Sequence, residues 1–211
     1  MNLRQADFPV IITNEPTGFS PINFVDHDHA SSLERALHLF LEHGHRRIAV
    51  MLPSTTMPAS FQKLKSLFIN TLFEHGIRDD VDPYWCYIEK DPSRNDSLYR
   101  AQNALEDLLD LPEPPTAIFF FSKFFLKYAQ DVFKRRGLRI PDDISIINSP
   151  YNPYLYPDIS GFDIQYEEMA RLLLEGIHKT IENPYHHLQK LIPAKYIDKG
   201  TVAYCRAGRH M

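Results

Sequence analysis

Residues Thr116–Ile147 read TAIFFFSKFFLKYAQDVFKRRGLRIPDDISII, and this stretch decides the fold class. Ala117–Phe121 (AIFFF) is continuously apolar, as a strand covered by helices on both faces must be. After it, Phe125, Ala129, Val132 and Phe133 recur at helical spacing, and Gly137 is placed to end the helix. Ile144–Ile147 (ISII) then reads as a second strand. Two strands joined by a helix of this length run parallel, since a tight hairpin cannot connect them.

The same alternation extends outward. Further strands are expected at Pro9–Thr13, Ile22–Val25, Ile48–Leu52 and Tyr84–Ile88. Between them, Ser31-Ser32-Leu33-Glu34 has the spacing of a capping box opening a helix with Leu33, Leu37, Phe40 and Leu41 on one face, stopped by Gly44. Phe61, Leu64, Leu67, Phe68 and Leu72 form the next stripe, ended by Gly76. Asp96 is placed to cap a helix carrying Leu98, Ala101, Leu105, Leu108 and Leu109. Asp163 is expected to cap the last helix, with Met169, Leu172, Leu173, Gly176 and Ile177 inward and Asn183-Pro184 at its end.

The bulk numbers bound the function. The chain has 211 residues, 44% apolar and 24% charged, with a net charge of −4. That is the composition of an ordinary soluble globular protein and disfavours a nucleic-acid-binding surface, which needs clustered Lys and Arg. No stretch approaches roughly 18 consecutive apolar residues, so no membrane span is expected. Met1–Glu15 has no apolar core of the secretory kind. Cys86 and Cys205 suit free thiols in a reducing cytoplasm and are too few and too distant for a zinc knuckle.

Several residues invite chemistry. In Asp26-His27-Asp28-His29, alternate residues of a strand would share a face, so Asp26 with Asp28 or His27 with His29 would converge as metal ligands. A third ligand at helical spacing is absent, and a strand end feeding an N-capped helix is the preferred reading. His43-Gly44-His45-Arg46-Arg47 reads as cations closing a helix rather than as a nucleic-acid contact. No G-x-S-x-G elbow and no G-x-G-x-x-G loop occurs, so neither a serine nucleophile nor a phosphate cradle is expected. The catalytic and metal sets are both read as none, and no cofactor is expected.

Three stretches together resemble the effector-binding domain of the lac/galactose repressor family. Leu41–Val50 (LEHGHRRIAV) is similar to that family's helix, Gly-His turn and strand. Thr116–Ile147 is similar to its strand, helix, GL-x-IP-x-DIS turn and strand, and Asp163–Glu182 to its returning EM-x-x-x-A-x-x-L helix. The resemblance implies a periplasmic-binding-protein-like fold of two α/β lobes with parallel sheets, joined by three crossings around a small effector. It implies an N-terminal lobe at 1–46 plus 162–184, a C-terminal lobe at 47–161 plus 185–205, and a tail at 206–211. The family's DNA-binding head and first N-lobe units would precede the FPVIITN stretch and lie outside this chain. The implied partners are a small-molecule effector, a second copy of the chain, and operator DNA through that head.

Aligned this way, the ligand-facing positions are Asn14, Ser60, Leu64, Ser122, Lys123, Pro150 and Tyr151. They depart from the family's pattern: Asn14 and Pro150 stand where acids are usual, Leu64 where Arg is, and Ser122-Lys123 replaces Asn-Asp. The expected ligand is therefore anionic or a modified sugar rather than a free neutral sugar. Alternatives are a solute-binding protein of the same fold, or a metal-dependent enzyme using Asp26–His29.

Overall fold

In the computed structural model, residues 10–13, 22–53, 58–77, 80–88 and 97–205 are described. The chain runs β1 (Ile11–Ile12), β2 (Asn23–His27), α1 (His29–Glu42), β3 (Ile48–Pro53), α2 (Pro58–Glu74), β4 (Trp85–Ile88) and α3 (Ser97–Leu109). It continues through β5 (Ala117–Phe120), α4 (Lys123–Arg136), β6 (Ser145–Asn148), β7 (Gly161–Asp163), α5 (Tyr166–Glu182), β8 (Gln189–Ile192) and β9 (Lys195–Ile197). No helix among the described residues is long and apolar enough to cross a membrane.

The strands form two sheets, as the periplasmic-binding-protein-like reading requires. A small sheet has the order β1-β2-β8, all parallel, and a larger one the order β4-β3-β5-β6-β7-β9, parallel except where β9 meets β7. Alternation along the central strands sorts the core of the large sheet into two layers. Ile48, Val50, Leu52 and Phe119 pack with Leu33, Leu37 and Phe40 of α1 and Leu64 and Phe68 of α2. Ala49, Met51, Ile118, Phe120 and Ile146 face the other way, onto Ala101 and Leu105 of α3 and Phe125, Leu126 and Val132 of α4. Continuous apolar runs are needed because both faces are covered.

This packing moves the lobe boundaries. Helix α1, expected in the lobe of residues 1–46, covers the large sheet, so the chain crosses between sheets at Asp28 rather than near residue 46. Strand β8, expected in the lobe of residues 185–205, pairs with β2 in the small sheet. Strand β7, expected to open the returning segment 162–184, pairs with β6 in the large sheet, whereas α5 packs on β1 and β2. The tail 206–211 lies outside the described residues.

Two helix starts also differ. Asp28, not Ser31, caps α1, its carboxylate accepting from the Ser31 amide at 3.0 Å, and Glu34 is left on the exposed face. An Asp one turn earlier outcompetes the capping-box pattern. Asp163 belongs to β7, and α5 begins after Gln165, which holds a left-handed φ of 55°. Ile177, expected inward, is exposed on α5. The cap expected at Asp96 falls outside the described residues.

The basic cluster at the end of α1 is structural. His43 Nδ1 meets the Leu39 carbonyl at 2.7 Å, Arg46 donates to the His75 carbonyl at 3.2 Å and Arg47 to the Pro114 carbonyl at 2.8 Å. His45, 3% exposed, spans 2.9 Å from Nε2 to the Ala203 carbonyl and 2.9 Å from Nδ1 to the Thr116 hydroxyl. The Ala203 carbonyl requires Nε2 to donate, and in a neutral ring Nδ1 is then left to accept from the Thr116 hydroxyl.

Burial pushes the His45 imidazole down from 6.5 to about 4. A histidine held neutral contributes stability in full above its unfolded pKa, and that contribution falls as pH drops from 6.5 toward 4. The expected loss between pH 6.5 and 5 is about 2 kcal/mol. Urea unfolding at pH 7 and pH 5 checks it: His45→Gln, which cannot titrate, is expected to show the shallower pH dependence.

Candidate functional site

The order of the large sheet sets where a ligand site would lie. From β3 the chain goes to β4 on one side and to β5 on the other, so the crevice outside the carboxyl ends of β3 and β5 is a topological switch point. The small sheet delivers its own carboxyl ends, at His27 and Ile192, to the crossings. The chain passes between sheets at Asp28, at Ile164-Gln165 and at Pro193-Ala194. Gln165 ties the last two together, its side-chain amide donating to the Pro193 carbonyl at 2.5 Å.

Four of the expected site residues lie on this edge. Ser122 follows β5 and caps α4, its hydroxyl accepting from the Phe124 amide at 3.3 Å. Lys123 opens α4, with Nζ 5.6 Å from the centroid of the exposed Phe124 ring. Pro150 and Tyr151 follow β6, the strand next to β5. The Tyr151 amide donates to the Phe162 carbonyl at 2.7 Å, and Lys199 brings a second cation to within 5.9 Å of its ring centroid.

The other three stand apart. Leu64 is 2% exposed within the layer between α1, α2 and the large sheet, so its side chain fills core rather than meeting a ligand. At helical spacing, a residue aligned with a family arginine here continues the apolar stripe of α2 through Phe68 and Leu72. Ser60 lies in the first turns of α2, and its side chain is outside the described set. Asn14 lies outside the described residues.

Two further polar groups, outside the expected ligand-facing set, lie on the same edge. Asn148 and Ser149, each 2% exposed, end β6 beside Phe120. Asn148 donates from Nδ2 to the Pro150 carbonyl at 2.7 Å, but its Oδ1 and the Ser149 hydroxyl are buried without a hydrogen-bond partner. An orphaned buried polar atom costs about 1–3 kcal/mol, and two stand together here at the carboxyl edge of the large sheet. Gly161 is what permits this turn. A Cβ there would stand 2.5 Å from the Asn148 carbonyl oxygen and 3.2 Å from the Tyr151 Cβ. A polar residue closing an otherwise apolar strand was the available signal.

At the first crossing, His27 ends β2, Asp28 caps α1 and His29 is the first residue of α1. The two imidazoles meet with centroids 3.6 Å apart, and His29 packs on Phe121, just past the end of β5, at 5.8 Å. Asp26, buried, sets Oδ1 3.2 Å from His27 Nδ1 and 2.8 Å from the His27 amide. Burial pushes the His29 imidazole down to about 4; His27 adds to this, and Asp26 and Asp28 oppose it. The sequence offers no further ligand at helical spacing within α1, and its alternation pairs Asp26 with Asp28 rather than with the histidines. The structure supplies Asp26, with ligand atoms of Asp26, His27 and His29 all within 4.8 Å of one another.

Among the described residues, no comparable cluster includes Cys86 or Cys205. Burial, then Asp107, pushes Cys86 up to about 11, the reverse of an activated nucleophile. A cavity of about 460 Å³ among Leu109, Asp110, Leu111, Pro114, Arg136 and Leu138 lies at the amino edge of β5. Its arginine is already paired with Asp110 and Glu106, and it sits away from every strand's carboxyl end.

Residues 37–202 match the family model described as a periplasmic binding protein-like domain. The HTH-type transcriptional repressor CytR of Escherichia coli K12 is 32% identical over 140 residues, covering 66% of this chain and 38% of that protein. The chain therefore spans less than half the length of that relative. Among solved structures, a LacI-type transcriptional regulator of Bacillus cereus subsp. cytotoxis superposes with a TM-score of 0.81 at 19% identity, over 97% of this chain and 71% of that one. A LacI-family regulator of Enterococcus faecium with bound ribose gives 0.75 at 18% identity, over 94% and 71%.

Proposed function

Because the chain belongs to the periplasmic binding protein-like domain family, in the form carried by lac/galactose-type repressors, we propose that it is the effector-binding core of a transcriptional regulator. The observation that carries this reading is the pair of buried, unpartnered polar atoms, Asn148 Oδ1 and Ser149 Oγ, on the switch-point edge of the large sheet. An enzyme would need an activated group there, whereas a sensor needs only partners that a ligand satisfies. The relatives carry repressor names, and the effector's role in such a protein is to shift the population of two lobe arrangements.

The ligand is small and carries a carboxylate or phosphate. The Ser149 hydroxyl and the Asn148 amide serve its polar groups, Tyr151 and Phe124 its apolar face, and Lys123 and Lys199 its charge. Lys123 places its Nζ 5.6 Å from the centroid of the exposed Phe124 ring on the same edge. The ribose held by the Enterococcus faecium neighbour is uncharged, so the two pockets differ in ligand class. The protein works in the cytoplasm as a homodimer and meets operator DNA through a head outside this chain.

Calorimetric titration of the chain with neutral sugars, sugar acids and sugar phosphates tests the reading. The expected result is saturable binding of an acid or phosphate, weakened about 10-fold or more by Ser149→Ala or Lys123→Ala. Tight binding of an unmodified neutral sugar, unaffected by Lys123→Ala, would overturn the ligand class. Strictly monomeric light scattering at tens of micromolar would count against the dimer.

A further inference from the structure

We propose that Asp26, His27 and His29 form a binding site for one divalent transition-metal ion of the zinc class, built into the first crossing between the sheets. Three groups from two elements converge there: a carboxylate within β2, an imidazole at its end, and an imidazole on the first turn of α1. His29 Nδ1 is buried and receives no hydrogen bond, although the ring lies against His27 and Phe121. A ring nitrogen sealed from water without a partner is costly, and a cation is an occupant that would satisfy it while using both of the adjoining imidazoles.

The surroundings are already organised for this. Asp28 is not needed as a ligand, because it caps α1 through the Ser31 amide. Asp26 is held by the His27 amide, which orients its carboxylate, as metal ligands are oriented by a second hydrogen bond. In a tetrahedral zinc site with bonds of about 2.0–2.1 Å, neighbouring ligand atoms lie roughly 3.3–3.5 Å apart. Ligand atoms within 4.8 Å of one another reach that by side-chain adjustment of about 1 Å. Two imidazoles with one carboxylate favour zinc, cobalt or nickel over magnesium and calcium, which prefer oxygen ligands.

Three protein ligands leave a fourth position for water or for an oxygen of a molecule bound on the switch-point edge. The ion would tie the end of β2 to the start of α1, so its occupancy would bias the crossing that any lobe movement must use. The effector reading does not rest on this site. Loss of the metal with retained effector binding separates the two.

Zinc titration of the purified 211-residue chain by calorimetry, with cobalt absorption spectra alongside, tests the proposal. One ion per chain is expected with a Kd of about 1 μM or tighter, with the visible absorption of four-coordinate cobalt and little response to magnesium. His29→Ala and Asp26→Asn are expected to weaken uptake at least about tenfold, and His187→Ala, at an exposed histidine, to leave it unchanged. No saturable uptake, uptake indifferent to both cluster variants, or a six-coordinate cobalt spectrum in the unaltered chain would overturn it. Should His29→Ala not fold, Asp26→Asn and the cobalt spectrum decide.

Discussion

Phe119→Ala is expected to lower the free energy of unfolding by about 3–5 kcal/mol. Phe119 is fully buried at the centre of β5, the strand between β3 and β6. Its ring meets Phe121 edge-on at 4.6 Å and Phe162 of β7 at 6.0 Å. It therefore joins the middle of the sheet to the edge that carries β7 and β9. Removing the ring loses its transfer energy and leaves a cavity walled by strands and by the helices packed on them, which cannot close in as a loop would. Phe119→Leu, which keeps most of the volume, is expected to cost less than half as much. Urea denaturation followed by far-UV circular dichroism reads both; a loss below about 1 kcal/mol for the alanine variant would contradict the packing. The consequence reaches the site, because Phe121 leans on Phe119 on one side and on His29 on the other.

The apolar periodicities that revealed α1 to α4 and β3 to β6 are also what holds them together, so those elements could be read directly. Ala101, Leu105 and Leu108, or Phe125, Ala129 and Val132, are at once a helical stripe and a layer of the core. Strands β7, β8 and β9 escaped notice because Gly-Phe-Asp, Gln-Lys-Leu-Ile and Lys-Tyr-Ile carry no such run. They are strands only because β6, β2 and β7 offer them unpaired edges. For the same reason the lobe boundaries could not be read. An amphipathic stripe says that α1 covers a sheet, not which one.

The site was half legible. The family resemblance singled out Ser122, Lys123, Pro150 and Tyr151, and topology agrees in putting them on one edge, because the residue after a parallel strand lies on its carboxyl side. Leu64 misled because an alignment column carries no face, and its place in the α2 stripe was the better guide. The convergence of His27 and His29 was visible as an alternation, yet it arises differently: one ring ends a strand and the other begins a helix. Asp26 completing the trio needed the three-dimensional turn at Asp28.

Thr201→Val is expected to cost about 2–4 kcal/mol while leaving the shape of the side chain unchanged. Thr201 is 4% exposed, and its hydroxyl donates to the Ile146 carbonyl at 2.7 Å and accepts from the Ser160 amide at 3.0 Å. Its own amide reaches the Ser160 hydroxyl at 3.3 Å, and its carbonyl accepts from the Ile146 amide at 2.9 Å. Valine removes no volume, so no cavity forms. The loss is confined to two buried backbone groups deprived of their partner, each worth about 1–3 kcal/mol. Those two groups flank Asn148 and Gly161, the residues whose pairing shapes the ligand edge. They also anchor the chain just after it has returned from the small sheet through Pro193-Ala194. Weakening them should therefore loosen the last crossing along with the global fold. The measurement is urea unfolding of Thr201→Val, Ser160→Ala and the double variant. Because the two hydroxyls serve one network, the double variant is expected to lose less than the sum of the singles. Strict additivity would show that the two hydroxyls act independently.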